Sequence, residues 1–158
     1  MSQRATVTTT DGITLITMPN VPADIDFVAK IFENIASLGI NVDMISLTPP
    51  QGANIDLSFT ISDDDLGKLL AYNAERRSKG ESSIQPVVSS GNCQISVCDE
   101  AMETTPGMAA KVFRAAAKAS ADIRIITTSE VQITLLVTQA DFDAVYEAVS
   151  YTHLRAHE

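Results

Sequence analysis

The segment AKIF at residues 29–32 is repeated as AKVF at residues 110–113, 81 positions later. Two further pairs of segments agree at the same offset: TLIT at 14–17 with ISVC at 95–98, and VDMI at 42–45 with IRII at 123–126. Between Asp65 and Asp141 the offset is only 76, so the first copy holds five extra residues, in the loop at 49–52. Insertions belong in surface loops. The chain is therefore predicted to contain one structural unit twice.

Hydrophobic periodicity predicts the element order βαββαβ in the first copy. Phe27, Ile31, Ile35 and Leu38 recur at helical spacing, whereas residues 55–61 alternate as in a strand. Ser62 and the acids that follow it form a typical helix start. The predicted elements are strands at 13–18, 40–46, 55–61 and 83–88, and helices at 25–38 and 62–78.

The second copy lacks a fourth strand of its own. Its predicted elements are strands at 94–99, 123–128 and 131–137, and helices at 105–119 and 139–149. Residues 7–9 match residues 88–90 at the offset of 81, so the segment 5–9 is predicted to complete the second sheet. The sequence thus predicts an α+β protein of two ferredoxin-like βαββαβ domains. Their predicted bounds are 13–90 and 5–12 plus 91–149, with residues 150–158 outside the fold.

Charge and hydropathy exclude several function classes. Acidic residues outnumber basic ones by 20 to 11, which disfavours binding to nucleic acid or to an anionic membrane surface. No apolar run approaches the roughly 20 residues of a membrane span. The first residues, MSQR, lack the apolar stretch of a signal peptide, so a cytoplasmic protein is predicted.

The chain carries no recognisable catalytic or metal-binding set. Its two histidines, His153 and His157, both lie in the last six residues. Cys93 and Cys98 would point to opposite faces of a strand, which prevents a disulfide between them. The acids at 63–65 are better explained as a helix cap than as metal ligands. We expect no catalytic residue, no metal and no cofactor on this chain.

Several motifs resemble ACT domains in the regulatory region of aspartate kinases. The segment TPGMAAKVF at 105–113 resembles that family's helix start, and TTSEV at 127–131 resembles its turn between strands. In the first copy, GINVDMI at 39–45 and LSFTI at 57–61 resemble its second and third strands. The resemblance implies homodimers, inhibition by lysine or threonine, and a kinase domain in cis or in trans. It also implies that an N-terminal strand completes the second domain.

The resemblance further implies a site for a free amino acid. Backbone N–H groups at a helix start would bind the carboxylate, and Asp43 corresponds to the aspartate that binds the ammonium. The implied ligand-binding residues are Asn20, Asp24, Ile25, Asp26, Asn41, Asp43, Met44, Pro106, Gly107, Thr128, Ser129 and Glu130. The sequence departs from the family at Ile25 and Asp26, where Pro-Gly is usual, which predicts altered or lost ligand selectivity.

Simpler interpretations remain open for these residues. Asp43 can be a solvated residue on a strand edge, and Pro106 with Gly107 can be an ordinary helix start. The pair of domains can serve dimerisation alone, or the fold can belong to a small ferredoxin-like enzyme. An RNA-recognition module is disfavoured because the central strands carry mainly aliphatic residues: Leu57, Phe59, Ile95 and Val97.

Overall fold

The computed structural model describes residues 5–49, 52–81 and 85–151. Contacts divide these residues into two compact units. The first unit is Gly12–Ser90, and the second unit is formed by residues 5–11 together with 91–151. Both units are mixed α and β with antiparallel strands in a βαββαβ-like order, which confirms the predicted fold class.

The first unit contains two helices over one face of a sheet. Two long strands, β1 (Thr6–Pro22) and β4 (Val87–Cys98), each contribute a part to it, and β2 (Ile45–Leu47) and β3 (Asn54–Ser62) belong to it entirely. Its helices are α1 (Ile25–Ser37) and α2 (Leu66–Ser78), the latter preceded by a 3-10 turn at Asp63–Asp65. The strand order is β2-β3-β1-β4, with β3 antiparallel to both neighbours.

The second unit repeats this plan with the remaining parts of the two long strands. It adds β5 (Ile123–Thr128), β6 (Gln132–Thr138), α3 (Met108–Lys118) and α4 (Phe142–Ser150). The strand order is β1-β4-β6-β5. Val7 in the N-terminal part of β1 packs against the core of this unit. The N-terminal strand therefore completes the second unit, as predicted.

The core of the first unit follows from the alternation in β3. Its buried hydrophobic residues are Ile55, Leu57, Phe59 and Ile61. Val28 and Ile35 of α1 pack over them, and the ring of Phe32 meets that of Phe59 edge-on at 5.5 Å between centroids. Burying each large apolar side chain contributes about 1.5–3 kcal/mol, so this alternation holds α1 on the sheet.

The core of the second unit is entirely aliphatic except for a cysteine. The central strands supply Cys93, Ile95, Val97, Ile133, Leu135 and Val137, and the helices supply Val112, Ala115, Ala116, Val145 and Val149. Four residues of α3 are buried, compared with two in α1, which holds the same place in the first unit.

The second strand of the first unit is shorter than predicted. A strand was expected at 40–46, but β2 covers only Ile45–Leu47. The preceding residues still bond to β3 in an irregular way, because the backbone N–H of Met44 donates to the Thr60 hydroxyl oxygen at 2.9 Å. Thr60 also accepts the N–H of Asp43 on its carbonyl at 3.0 Å. A side chain that takes one ladder bond interrupts the regular pairing.

The helices of the second unit also differ from the prediction at their ends. α3 starts at Met108 rather than at residue 105, because Gly107 adopts a left-handed conformation that no helix continues. α4 starts at Phe142 rather than at residue 139 and extends to Ser150, so the expected tail begins later. Residues 152–158 of that tail, and residues 83 and 84 of the expected fourth strand, lie outside the described residues.

The two cysteines lie on opposite sides of β4, as their spacing predicted. Cys93 is buried and Cys98 is exposed, and neither forms a disulfide. Within the described ranges, no helix is long and apolar enough to cross a membrane. The same ranges contain no group of three or more His, Cys, Asp or Glu residues arranged to hold a metal ion.

Candidate functional site

The start of α1 is satisfied by the protein's own carboxylate. Asp24 is the N-cap residue, with an extended backbone (φ −133°, ψ 118°). Its side-chain Oδ1 accepts the backbone N–H of Asp26 at 3.0 Å, and its carbonyl accepts the N–H of Val28 at 3.1 Å. The Asp26 N–H, one of the four that a helix leaves without an intrahelical partner, therefore already has an acceptor.

The charge of Asp26 is compensated within the same helix. Its carboxylate lies 2.9 Å from the Lys30 ammonium, and both side chains are exposed. The hydrogen bond and the negative charge of Asp26 raise the pKa of Lys30 above its ordinary value. Ile25, the first residue of the helix, is 77% exposed and contributes little to the core. The charged groups at this helix start are therefore bonded within the chain: Asp24 caps the helix, and Asp26 pairs with Lys30.

The start of α3 has a different chemistry. Gly107 is its N-cap residue, with a left-handed φ of 88°, and as a glycine it has no side chain that could cap the first N–H groups. Pro106 and Gly107 are both exposed, whereas the next residue, Met108, is buried. Glycine is favoured at such a positive φ, since a Cβ atom would strain the backbone there. The exposed helix start offers its N–H groups to an outside acceptor.

A polar cavity lies beside the loop that leads into α1. The pairing of β1 with β3 shifts register between Met18 and Val21, and Asn20 within this bulge has a φ of 56°. The backbone N–H of Asn20 donates to the Asp56 Oδ1 at 3.0 Å. The cavity has a volume of about 400 Å³ and is lined by Asn20, Thr48, Pro49, Asn54, Ile55 and Asp56.

Asp56 is held in place by its neighbours on two sides. Its backbone N–H donates to the Thr48 hydroxyl oxygen at 2.9 Å, and its carbonyl accepts the N–H of Thr48 at 3.1 Å. The carboxylate then accepts from Asn20 across the bulge. This carboxylate was not among the residues predicted from sequence. The prediction missed it because its place opposite Asn20 depends on the strand register, which no local motif shows.

The other predicted residues of the first unit do not line this cavity. Asn41 and Asp43 are exposed in the segment before β2, and the side chain of Met44 is buried. The structure thus separates Asn20 and its neighbour Asp56 from the stretch that contains Asp43. Asp43 stays a predicted ammonium partner.

The predicted turn of the second unit is present between β5 and β6. Thr128 ends β5, and the backbone N–H of Ser129 donates to the carbonyl of Gln132 at 2.8 Å. Thr128, Ser129 and Glu130 are all exposed. Their position at a tight connection agrees with either interpretation, a ligand contact or a simple turn.

Family comparison identifies the class of the fold. Residues 95–152 match the family described as the ACT domain. This range begins in β4 and covers most of the second unit. The first unit repeats the same plan of strands and helices. The second unit therefore matches the ACT domain over most of its length, and the first unit resembles it in the order of its strands and helices.

The proteins that resemble this chain along its length are aspartate kinases. Over 140 residues it is 29% identical to the aspartokinase of Bacillus sp. (strain MGA3). The aligned region covers 88% of this chain and 34% of that protein. The chain spans about a third of the length of the curated relatives it matches.

Solved structures give the same assignment. The regulatory subunit of aspartate kinase from Thermus flavus superposes with a TM-score of 0.80 at 26% identity, covering 95% of this chain and 99% of that subunit. Aspartate kinase from Synechocystis gives a TM-score of 0.84 at 27% identity, covering 93% of this chain and 26% of that protein. The chain has the fold of the ACT regulatory region of aspartate kinase.

Proposed function

We propose that this chain is the amino-acid-sensing regulatory module of an aspartate kinase, with lysine or threonine as its effector. The observation that carries the proposal is the likeness to a regulatory subunit over 99% of that subunit's length. The kinase domain would act in cis or in trans, and the module would work as a homodimer in the cytoplasm. Cys93 and Cys98 form no disulfide, which fits a reducing compartment.

The cavity beside Asn20 has the chemistry to hold the ammonium end of an amino acid. Asp56 supplies a carboxylate, and the Asn20 N–H orients it toward one side. The side chains of Asn54 and Thr48 add neutral hydrogen-bonding groups. A volume of about 400 Å³ falls in the range of small-molecule sites. We infer that Asp56 acts beside, or in place of, the predicted Asp43.

Calorimetry with matched variants tests this proposal. We expect the chain to bind lysine or threonine, and Asp56→Asn to weaken that binding at least about tenfold, since a charge-assisted bond contributes about 1.5–3 kcal/mol. Asp64→Asn is the control, because Asp64 is an exposed acid of the same unit outside the cavity. N-acetyl-threonine, which has a carboxylate but no ammonium group, separates ammonium recognition from carboxylate recognition.

The site is contradicted if the unaltered chain and the Asp56→Asn variant bind lysine or threonine with equal affinity. Asp43→Asn then tests the carboxylate that the family resemblance implies. Absence of binding by any common amino acid overturns the sensor proposal while leaving the fold assignment untouched.

A second function is favoured by the start of α1. Because Asp24 and Lys30 already satisfy the groups around Asp26, this helix start is poorly suited to bind a carboxylate. A pair of ACT domains that only dimerises would show this feature. Sedimentation of a dimer at micromolar concentration, with no amino acid bound in calorimetry, is the expected result for that function.

A further inference from the structure

A second concave site lies in the first unit, between α1 and α2. Its floor is apolar and includes Ile16, Ile35, Phe59 and Leu69. Its polar groups come from both helices and include Asn34, Tyr72, Asn73 and Arg76. We propose that this crevice binds a small branched aliphatic carboxylate, with the hydrocarbon tail on the floor and the carboxylate at Arg76.

The crevice exists because α2 covers the sheet incompletely. Only Leu69 of this helix is buried, and its neighbour Leu70 is 43% exposed. Asn73 and Arg76 of this helix are half-buried and line the crevice together with apolar residues of the sheet. An amphiphilic ligand suits this arrangement, since it buries the apolar surface and keeps its charge at the polar residues.

The size of the crevice limits the ligand. Its volume is about 60 Å³, which is room for about four to six water molecules at 10–15 Å³ each. Water against the apolar floor finds few hydrogen-bonding partners, so replacement by a hydrocarbon group is favourable. An isobutyl group has four carbon atoms and fits this space. Larger aromatic acids would not enter it without movement of a helix.

Arg76 is placed to bind a carboxylate. Its Nη1 donates to the Tyr72 hydroxyl at 3.4 Å, and its guanidinium carbon lies 5.6 Å from the centre of the Tyr72 ring. Its Nε is 3.6 Å from the Glu81 carboxylate. These contacts with described residues are long and use two of the five donors of a guanidinium. The remaining donors suit a carboxylate, which a guanidinium binds through two parallel hydrogen bonds.

This site goes beyond the proposed function. It shares no lining residue with the cavity beside Asn20, so the two are tested separately. The same chemistry, a branched tail with a carboxylate, occurs in a simple carboxylic acid and in leucine. The experiment therefore includes 4-methylpentanoate and leucine, together with the neutral 4-methylpentan-1-ol.

Calorimetry on the full chain measures the affinity of these three compounds. We expect 4-methylpentanoate to bind with a Kd of about 1–10 mM, as befits a ligand of this size. The alcohol should bind at least about tenfold more weakly than 4-methylpentanoate. The affinity of Arg76→Gln for 4-methylpentanoate should fall by a similar factor. Arg77→Gln is the matched control, because Arg77 is the adjacent basic residue of the same turn and does not line the crevice.

Methyl NMR locates the bound compound. Shifts of the Ile31, Ile35 and Val88 methyl groups on addition of 4-methylpentanoate would support the site, since all three residues line it. If leucine binds more strongly than 4-methylpentanoate, the site is supported and its ligand is an amino acid. Equal binding of acid and alcohol, an unchanged affinity in Arg76→Gln, or shifts confined to the second unit would each overturn the proposal.

Discussion

The first helices of the two units hold the same place in the repeat but begin with different chemistry. α1 follows Asp24, whose carboxylate accepts an N–H of the helix, and its next acid is paired with Lys30. α3 follows Gly107, which has no side chain and a left-handed backbone. One N–H group at the start of α1 is bonded to the Asp24 side chain, whereas the N-cap residue of α3 has no side chain to offer.

The difference teaches that a duplicated fold need not carry a duplicated site. Both starts support a helix, because an acidic cap and a glycine turn are alternative ways to begin one. Only the glycine start lets an outside anion approach the backbone closely. The two units have thus kept the same core pattern while the residues at their helix starts have diverged.

The largest effect is expected from a side chain at the left-handed position. Gly107→Val should lower the free energy of unfolding by about 1–3 kcal/mol, because a β-branched residue is strained at a φ of 88°. Urea denaturation measures the change. The matched control is Gly67→Ala, since Gly67 lies in α2 with open space around it and should gain up to about 1 kcal/mol. Wild-type stability in Gly107→Val would show that this backbone conformation is not required.

A smaller effect is expected at the other helix start. Asp24→Ala removes the acceptor for the Asp26 N–H and should cost about 1 kcal/mol of unfolding free energy. Asp24→Ser keeps a capping oxygen and should restore most of that stability. Denaturation of the two variants side by side checks the mechanism. Equal losses in both would mean that the cap does not stabilise α1.

The smallest effect is expected from the exposed ion pair. A double-mutant cycle with Asp26→Asn and Lys30→Gln should give a coupling smaller than either effect above, because both side chains are exposed and water screens the pair. Asp26→Asn should also lower the pKa of Lys30 toward its ordinary value, because it removes the carboxylate that raises it. NMR titration of the lysine ammonium measures this shift, and an unchanged pKa would contradict the pairing.

The repeat and the helices were predictable because their signals are local. Phe32 and Ile35 recur at helical spacing, and the alternation around Phe59 marks a strand with one buried face. The match between residues 7–9 and 88–90 also predicted where the N-terminal strand belongs. The packing of Val7 against the core of the second unit agrees with that prediction.

Element ends were predicted less well, for identifiable reasons. The hydroxyl group of Thr60 takes a bond that a regular ladder would have given to the backbone, which shortens β2. The left-handed Gly107 delays α3, although proline and glycine there suggested an earlier start. Both effects come from a single residue whose conformation is decided by its surroundings.

The sequence by itself determined the class of protein: two copies of one α+β unit, an excess of acidic residues, cores that are mainly aliphatic and motifs that resemble a regulatory domain. These properties follow from composition and from short periodic patterns. Only the tertiary structure decided which carboxylate faces Asn20 and which side chains line the crevice under Arg76. Such neighbours are distant along the chain, and strand register and helix placement bring them together.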